Sequence, residues 1–356
     1  MKEDDRLSRS AILGRPSDML DFAEVMGGGY RLIDVRSPGE YLAGSLPGAI
    51  NIPIFDNGER SLVGTMYRQS GRDAAIATGF TLVESRLAAL LQDFHPYRRE
   101  PIAVFCARGG MRSRSVVNLL CQSGFAARQL AGGYKAYRQL ALDTLERFSP
   151  RCIVVHGLTG TGKTRILQHL DPVIDLEDLA QHQSSLFGGI NRRPRTQQWF
   201  DSRLHQVIAG LGAEPVFIEG ESRQIGNIYL PAGLARAMKA GQLVLVSASL
   251  ATRVARIVED YPLPDEATVA RVERILKSLR SKVGAKVVVE LCALLRQNRL
   301  AELVEILLVE YYDKRYLNNL RHYHWALTIS SENIGEAAAI LTEFRRQLLR
   351  EALRSR

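Results

Sequence analysis

Cysteine is scarce in this sequence, and its spacing matches neither a disulfide framework nor a metal site. The 356 residues contain four cysteines, and none of them belongs to a CxxC motif or a Cys/His pair. Neither a disulfide-stapled fold nor a structural zinc site is therefore indicated. We expect a protein of the reducing cytoplasm with no tightly bound cofactor.

Long apolar runs are also missing. No stretch approaches the roughly 18 consecutive apolar residues of a membrane-spanning helix, and no apolar segment follows the charged start MKEDDR. We therefore expect neither secretion nor a membrane partner. The composition, with 46% hydrophobic and 24% charged residues, is typical of folded globular proteins. The net charge of +9 favours a polyanionic partner such as nucleic acid but does not establish one.

The chain length suits two domains of ordinary size. Short β-like runs alternate with helical patterns on both sides of a break at residues 148–151, which predicts an α/β fold for each half. We place one α/β domain at residues 1–147 and a second at 148–356, with a helical carboxy-terminal part. The predicted strands are 30–35, 101–106, 152–156, 215–219 and 243–247, and the predicted helices are 73–93, 113–123 and 134–147.

Residues 105–113, FCARGGMRS, have the composition of an anion-binding loop. The paired glycines let successive backbone N–H groups turn inward, a helix N-terminus follows, and two arginines add positive charge. Such a loop stabilises a thiolate, so we predict that Cys106 is a nucleophile able to hold a covalent anionic intermediate such as a persulfide. The predicted catalytic set is Cys106, Arg108, Gly109, Gly110, Arg112 and Ser113.

A cysteine at the end of a strand can also be a small buried side chain without a chemical role. We assign that structural role to Cys121, Cys152 and Cys292, which lie in apolar helix or strand patterns. The spacing from Cys106 to Arg112 also fits the C-x5-R motif of cysteine phosphatases. That alternative stays open, although phenylalanine precedes the cysteine where most such phosphatases have histidine.

Residues 157–164, GLTGTGKT, match the P-loop pattern G-x4-G-K-[ST] between a predicted strand and a helical pattern. Backbone N–H groups of such a loop bind phosphate oxygens, the lysine adds a point charge, and the final threonine can ligate magnesium. The pattern predicts a diphosphate or triphosphate ligand without identifying it. The predicted phosphate-binding set is Gly157, Thr159, Gly160, Thr161, Gly162, Lys163 and Thr164.

Polar residues at the end of the strand predicted at 215–219 and directly after it form a candidate base or magnesium site. They lie where P-loop proteins carry acidic metal-binding residues, although solvated loop carboxylates are the alternative. The set consists of Glu219, Glu221, Ser222 and Arg223. The sequence leaves the identity of any metal unknown.

Two basic groups are candidates for RNA binding through phosphate contacts. The first is followed by the aromatic residues Trp199 and Phe200, as in sites that stack single-stranded RNA, although an amphipathic helix explains that pattern as well. The candidates are Arg192 and Arg193 in the first group and the helix stripe Arg271, Arg274 and Lys277 in the second.

Three signatures around the cysteine loop resemble those of the rhodanese family. They are DVRSPGEY at 34–41, GSLPGAINIP at 44–53 and RQLAGGYKAY at 128–137. A P-loop domain directly behind such a domain is similar to the tRNA 2-selenouridine synthase family, and the residues ExESRxIG at 219–226 and YYD at 311–313 extend the likeness. Ala107 and Lys314 depart from the residues expected at their positions.

The resemblance implies an enzyme that replaces sulfur by selenium in the wobble 2-thiouridine of tRNA through an S-geranyl intermediate. It implies geranyl diphosphate and selenophosphate as substrates, a chalcogen-handling role for Cys106, and a selenophosphate-supplying enzyme as a candidate partner. Magnesium is a candidate cofactor. The alternatives are an NTP-dependent kinase or ATPase with a regulatory rhodanese module, and a sulfur carrier whose P-loop is only structural.

Overall fold

The protein divides into two compact units. The computed structural model describes residue 14 and residues 19–183, 185, 187–188, 190, 193–220, 222–320 and 322–354. The first unit runs to Thr144 and also includes Gln198–Gln206, and the second comprises Leu145–Gln197 and Val207–Arg356. The segment Gln198–Gln206 joins the first unit because Tyr137 donates a hydrogen bond to Ser202 and Arg138 pairs with Asp201.

The described part of the first unit is built on a parallel five-stranded sheet in the order β1-β5-β4-β2-β3. Its central strand β4 is completely buried because helices cover both faces of the sheet. The strands are β1 Met19–Leu20, β2 Arg31–Asp34, β3 Ile50–Asn51, β4 Ile102–Phe105 and β5 Ala127–Leu130. The helices are α1 Phe22–Met26, α2 Pro38–Ala43, α3 Asn57–Glu84, α4 Leu87–Phe94, α5 Met111–Gln122 and α6 Gly133–Arg147, with a 3-10 turn at His95–Tyr97.

The single helix predicted at 73–93 is wrong in its bounds. Helix α3 begins at Asn57, where Asp56 and Glu59 form a capping box, and α4 is a separate helix. Gly71, with φ of 84°, interrupts the helical geometry of α3, so the glycine-rich first part does not read as helix from sequence. No single described helix is long and apolar enough to cross a membrane, and the bent pair Asn57–Glu84 with Leu87–Tyr97 meets that requirement on length and composition alone.

The described part of the second unit contains another parallel five-stranded sheet, in the order β12-β11-β6-β8-β7. The strands, with the hairpin β9–β10, are β6 Cys152–Gly157, β7 Val173–Ile174, β8 Val216–Glu219, β9 Gln224–Ile225, β10 Ile228–Tyr229, β11 Gln242–Ser247 and β12 Leu327–Ser330. The helices in this part of the chain are α7 Lys163–Leu167, α8 Leu176–Ala180, α9 Gln197–Ala209, α10 Ala232–Ala240, α11 Leu250–Asp260, α12 Glu266–Ser278, α13 Arg280–Val283, α14 Ala285–Arg296, α15 Leu300–Leu307, α16 Asp313–Leu320 and α17 Ile334–Arg354, with a π-helical turn at Leu308–Tyr312. Most of α9 belongs to the first unit.

Two parallel α/β sheets and a helical carboxy-terminal part confirm the predicted fold class. Helices α11 to α15 and the π-helical turn bury an apolar cluster of their own, which includes Leu276, Leu291 and Leu307 and is separate from the core of the sheet. The burial predicted for Cys152 and Cys292 is confirmed. The same prediction is wrong for Cys121, which is exposed on α5, where its thiol donates to the carbonyl of Ala127 at 3.2 Å.

Candidate functional site

The cysteine loop surrounds the sulfur of Cys106 with hydrogen-bond donors. Cys106 follows strand β4 and is only 3% exposed. The backbone N–H of Gly110 lies 3.3 Å from Sγ, and the hydroxyl of Ser113, at the start of α5, lies 3.2 Å from it. Both groups donate toward the sulfur, so the loop is arranged to stabilise negative charge on Cys106 or on a group attached to it.

Neighbouring strands and turns hold this loop in its conformation. The side-chain amide of Gln129, on β5, donates to the carbonyls of Gly109 at 2.7 Å and Gly110 at 3.1 Å. Gly133 has φ of 56°, and a Cβ atom there would lie 2.3 Å from the carbonyl oxygen of Cys106. The backbone of α6 therefore approaches the cysteine loop closely, which only glycine permits. This contact explains the paired glycines of the signature at residues 128–137.

The two arginines of the loop differ in their partners. Arg112 forms an ion pair with Glu40, with nitrogen-oxygen distances of 2.7 and 3.3 Å. Burial by itself lowers the pKa of Arg112, but the hydrogen bond and charge of Glu40 raise it above the ordinary value. Arg108 is exposed. The positive charge that the sequence predicts for Arg112 is therefore shared between Glu40 and Cys106, whose charge also raises the pKa of Arg112.

The upstream signature forms a buried ion pair beside this loop. Asp34 and Arg36 are both almost completely buried and lie 2.6 Å apart. Ser45 donates to the same carboxylate at 2.7 Å, and the Arg36 guanidinium packs 4.0 Å from the centre of the Tyr134 ring. Because each charge has a partner, these residues support the fold around the loop. The sequence alone did not assign them that role.

A cleft with a volume of about 890 Å³ opens over Cys106. One wall is apolar and includes Ile76 and Phe80 of α3, and the rim carries exposed arginines. The rim arginines are Arg60, Arg68, Arg72 and Arg108. Cys106 therefore lines a cleft whose other lining residues are both basic and apolar.

The phosphate loop connects β6 to α7. Gly160 and Gly162 have φ of 83° and 81°, which glycine adopts without strain. Lys163 lies at the loop with Nζ 3.3 Å from the carbonyl of Gly157 and 3.5 Å from the carboxylate of Glu219. The geometry required to bind phosphate, a tight glycine turn at a helix N-terminus with a lysine, is present.

Residues that the sequence analysis did not predict fix the outer side of this loop. Buried Arg253 donates to the carbonyl of Thr159 at 2.8 Å, and buried Arg256 donates to that of Thr161 at 2.9 Å, both from α11. Asp313 in turn pairs with Arg253 at 2.6 Å. These donors on the loop carbonyls hold the loop in its conformation. Two arginines on the buried face of an amphipathic helix are the sequence signal that could have revealed this role.

Glu219, at the end of β8, contacts the side chains of two P-loop residues, Lys163 and Thr164. Its carboxylate lies 3.4 Å from the Thr164 hydroxyl and 3.5 Å from the Lys163 ammonium group. Burial raises the pKa of Glu219 to about 7. The positive charge of Lys163 lowers this pKa, whereas the negative charges of Glu177 and Asp175 raise it further. An acid at this place can ligate magnesium or take up a proton near neutral pH.

The structure does not bring Ser222 and Arg223, the other described members of the predicted base or magnesium site, into contact with the P-loop. Glu221 lies outside the described residues. Ser222 and Arg223 are exposed, and the Ser222 hydroxyl donates to the carbonyl of Gln224. Within the described residues, no three His, Cys, Asp or Glu side chains form a group that could hold a metal ion. A magnesium ion at Glu219 would therefore need ligands from a bound phosphate.

A narrow apolar slot begins at the phosphate loop. Its volume is about 80 Å³, and nearly all of its lining is hydrocarbon. Thr159 of the loop is one of its lining residues, and the other walls come from residues 185, 187 and 190, the helices that follow β11 and the π-helical turn. Its lining includes Ile257, Leu303, Leu307 and Tyr312. Burial raises the pKa of Tyr312, so its hydroxyl stays neutral.

The candidate RNA-binding residues give a mixed result. Arg193, Arg271 and Arg274 are exposed, and Arg192 lies outside the described residues. Lys277 is paired with Glu273 at 2.7 Å, which Arg296 also contacts, so its charge is largely compensated. The suggestion of a stacking site at Phe200 is wrong, because this ring is completely buried.

Comparisons with known proteins divide the chain at the same place as its motifs. Residues 19–140 match the rhodanese-like domain, and residues 150–347 match the tRNA 2-selenouridine synthase AAA domain. A tRNA 2-selenouridine synthase of Nitrosomonas europaea is 38% identical over 270 residues, 72% of this chain and 70% of that protein. One from Pseudomonas fluorescens is 33% identical over 336 residues, 85% of this chain and 92% of that protein.

Among solved structures, the N-terminal domain of a putative ATP/GTP binding protein from Clostridium difficile 630 is 38% identical. The matched region covers 35% of this chain and 99% of the chain in that structure. The TM-score of 0.34 is too low to support an argument about the fold. The sequence relatives are decisive, because they extend over both motif-bearing parts. This chain belongs to the tRNA 2-selenouridine synthase family.

Proposed function

We propose that the protein converts the wobble 2-thiouridine of tRNA into 2-selenouridine in two steps, one at each site. The relatives that span most of the chain are named for 2-selenouridine synthesis. The observation that carries the mechanism is the meeting of the phosphate loop and the apolar slot at Thr159. An anionic head beside a hydrocarbon tail is the chemistry of a prenyl diphosphate, and we assign geranyl diphosphate to this site.

The first step is alkylation of the thiouridine sulfur. The sulfur attacks C1 of geranyl diphosphate, a sulfur-carbon bond forms while the carbon-oxygen bond breaks, and the nucleoside loses its N3 proton. Lys163 and the loop N–H groups stabilise the charge that develops on the departing diphosphate. Thr164 and Glu219 would hold a magnesium ion together with diphosphate oxygens. No nucleotide is consumed.

The size of the slot sets a condition on this step. A cavity of roughly 150 Å³ holds a benzene molecule, and the slot measures about 80 Å³. A ten-carbon chain therefore enters only if lining side chains move apart. The apolar cluster of helices α11 to α15 supplies such side chains on several separate helices.

The second step exchanges the alkylated sulfur for selenium at the Cys106 loop. Alkylation makes the sulfur a leaving group, and selenium has the same oxidation state in selenophosphate and in selenouridine. Selenium carried on Cys106 through a sulfur-selenium bond would need an oxidant. We therefore assign Cys106 a redox-neutral role as the nucleophile that attacks C2 and expels geranylthiol, which leaves with a proton. Selenium from selenophosphate then displaces Cys106, and water cleaves the phosphorus-selenium bond to release phosphate.

The experiment separates the two steps. Purified protein is given 2-thiouridine tRNA, geranyl diphosphate and magnesium, or S-geranylated tRNA and selenophosphate, and nucleosides are identified by mass. Lys163→Ala should slow alkylation by roughly a hundredfold to a thousandfold, as loss of a preorganised charged donor does, yet convert supplied S-geranylated tRNA. Cys106→Ala should alkylate 2-thiouridine tRNA normally but fail to convert supplied S-geranylated tRNA into the selenated product. Cys121→Ala, an exposed cysteine on α5, is the matched control and should behave as wild type in both steps.

A nucleotide-dependent enzyme is the second candidate, because Glu219 beside Lys163 and Thr164 also suits a magnesium-nucleotide site. In that case alkylation appears only when ATP or GTP is added, and Lys163→Ala abolishes nucleotide hydrolysis. Full activity of Lys163→Ala in both steps would instead support a structural P-loop. A phosphatase is disfavoured by the ion pair that engages Arg112 with Glu40.

A further inference from the structure

The cleft over Cys106 is much larger than the small anion that its loop can bind. An ion of four or five heavy atoms needs about as many water volumes, on the order of 150 Å³, whereas the cleft measures about 890 Å³. The loop donors from Gly110 and Ser113 lie at the sulfur of Cys106 and contact only a small part of this space. The remaining volume therefore fits a larger ligand.

The walls of the cleft indicate the chemistry of that ligand. The apolar wall comes from Phe55, from one side of α3 and from α4, and its partly buried Phe80 and Leu87 pack on the core of the unit. It includes Phe55, Ile76, Phe80, Val83, Leu87 and Leu90. A small inorganic anion gains nothing from such a surface, because apolar contacts stabilise only ligands with hydrocarbon of their own.

The rim of the cleft is basic. Arg68 and Arg72 extend from α3, and the Arg72 guanidinium lies 3.9 Å from the Met111 sulfur at the start of α5. Arg60 lies 3.6 Å from Glu40, on the side of the cleft that also holds Arg112. Exposed arginines around a deep site are suited to the phosphates of a nucleic acid whose modified base enters the site.

We propose that this cleft binds the S-prenylated nucleoside of the RNA, with its hydrocarbon chain on the Ile76–Phe80 wall and the flanking phosphates on the arginine rim. This inference rests on the proposed function, since it names the substrate of the Cys106 step. It places the prenyl chain in a second apolar site, distinct from the slot at Thr159. The chain then serves as a recognition tag that admits alkylated RNA to the nucleophile.

The test compares binding of two RNA hairpins, one with 2-thiouridine and one with its S-geranyl derivative, by fluorescence anisotropy without other substrates. All proteins carry Cys106→Ala, so that the geranyl group is not expelled during the measurement. The protein with an otherwise unchanged cleft should bind the geranylated hairpin at least tenfold more tightly, because burial of two methylene groups already corresponds to about that factor. Phe80→Ala should lose most of this preference, and Phe80→Leu should keep part of it. Leu62→Ala is the matched control, on the same helix but outside the cleft lining, and should keep it all.

Other outcomes separate this inference from the proposed function. Equal binding of the two hairpins by the Cys106→Ala protein with an otherwise unchanged cleft, or an unchanged preference in Phe80→Ala with a native circular dichroism spectrum, would overturn the cleft assignment. Loss of the preference in Leu303→Ala, in the slot, instead of Phe80→Ala would place the chain in the second unit and overturn it as well. Because the assay needs no turnover, its result does not depend on alkylation or selenation activity, which Lys163→Ala and Cys106→Ala report.

Discussion

Replacing Glu219 by glutamine should alter how the stability of the second unit depends on pH. Burial raises the pKa of Glu219 from 4.5 to about 7 in the folded protein. The folded state therefore binds a proton more tightly than the unfolded state. This contribution to the free energy of unfolding is fully present below about pH 4.5 and is lost as the pH rises through 7.

The magnitude follows from the size of the shift. At about 1.36 kcal/mol per pKa unit, a change from 4.5 to about 7 corresponds to roughly 3 kcal/mol. Wild-type stability should thus fall by about that amount, relative to Glu219→Gln, between pH 4.5 and pH 8. The glutamine side chain does not titrate, so the variant lacks this component.

Urea unfolding at several pH values measures the difference. The chain has two tryptophans, and Trp325 packs 5.6 Å from His156, beside the phosphate loop. In a Trp199→Phe background, Trp325 fluorescence reports the second unit alone. Glu290→Gln, at an exposed position on α14, is the control and should parallel the unsubstituted protein. If the stability of Glu219→Gln parallels the wild-type curve across the whole pH range, the reasoning about Glu219 is refuted.

Three further variants test other parts of the structure. Gly133→Ala should reduce selenation at least tenfold and spare alkylation, measured by nucleoside mass, because its Cβ would collide with the cysteine loop. Asp313→Ala should destabilise the protein by about 3 kcal/mol in urea unfolding, since it leaves the buried charge of Arg253 without its carboxylate. The double substitution Arg271→Glu and Arg274→Glu should weaken tRNA binding and flatten its dependence on salt; an unchanged salt slope would show that this stripe does not contact RNA.

Much of the fold and both loops could be predicted because they depend on local sequence. The pattern from Gly157 to Thr164 requires a particular backbone path wherever it occurs, and the glycines and arginines around Cys106 similarly define an anion-binding turn. Strand positions followed from short apolar runs between turns. Helix α3 was only partly predicted, because its glycines lower helix propensity and its capping box was overlooked.

The sequence by itself determined the order of the two units, the phosphate loop and the anion-binding turn around Cys106, since each depends on residues adjacent in the chain. The tertiary structure decided which distant residues serve them. It brought Glu219 to the end of the strand beside Lys163, placed Arg253 behind the phosphate loop and paired Arg112 with Glu40. It also opened one apolar surface over the cysteine and another beside the phosphate loop. Such pairings depend on strand order and helix packing, which no local pattern specifies.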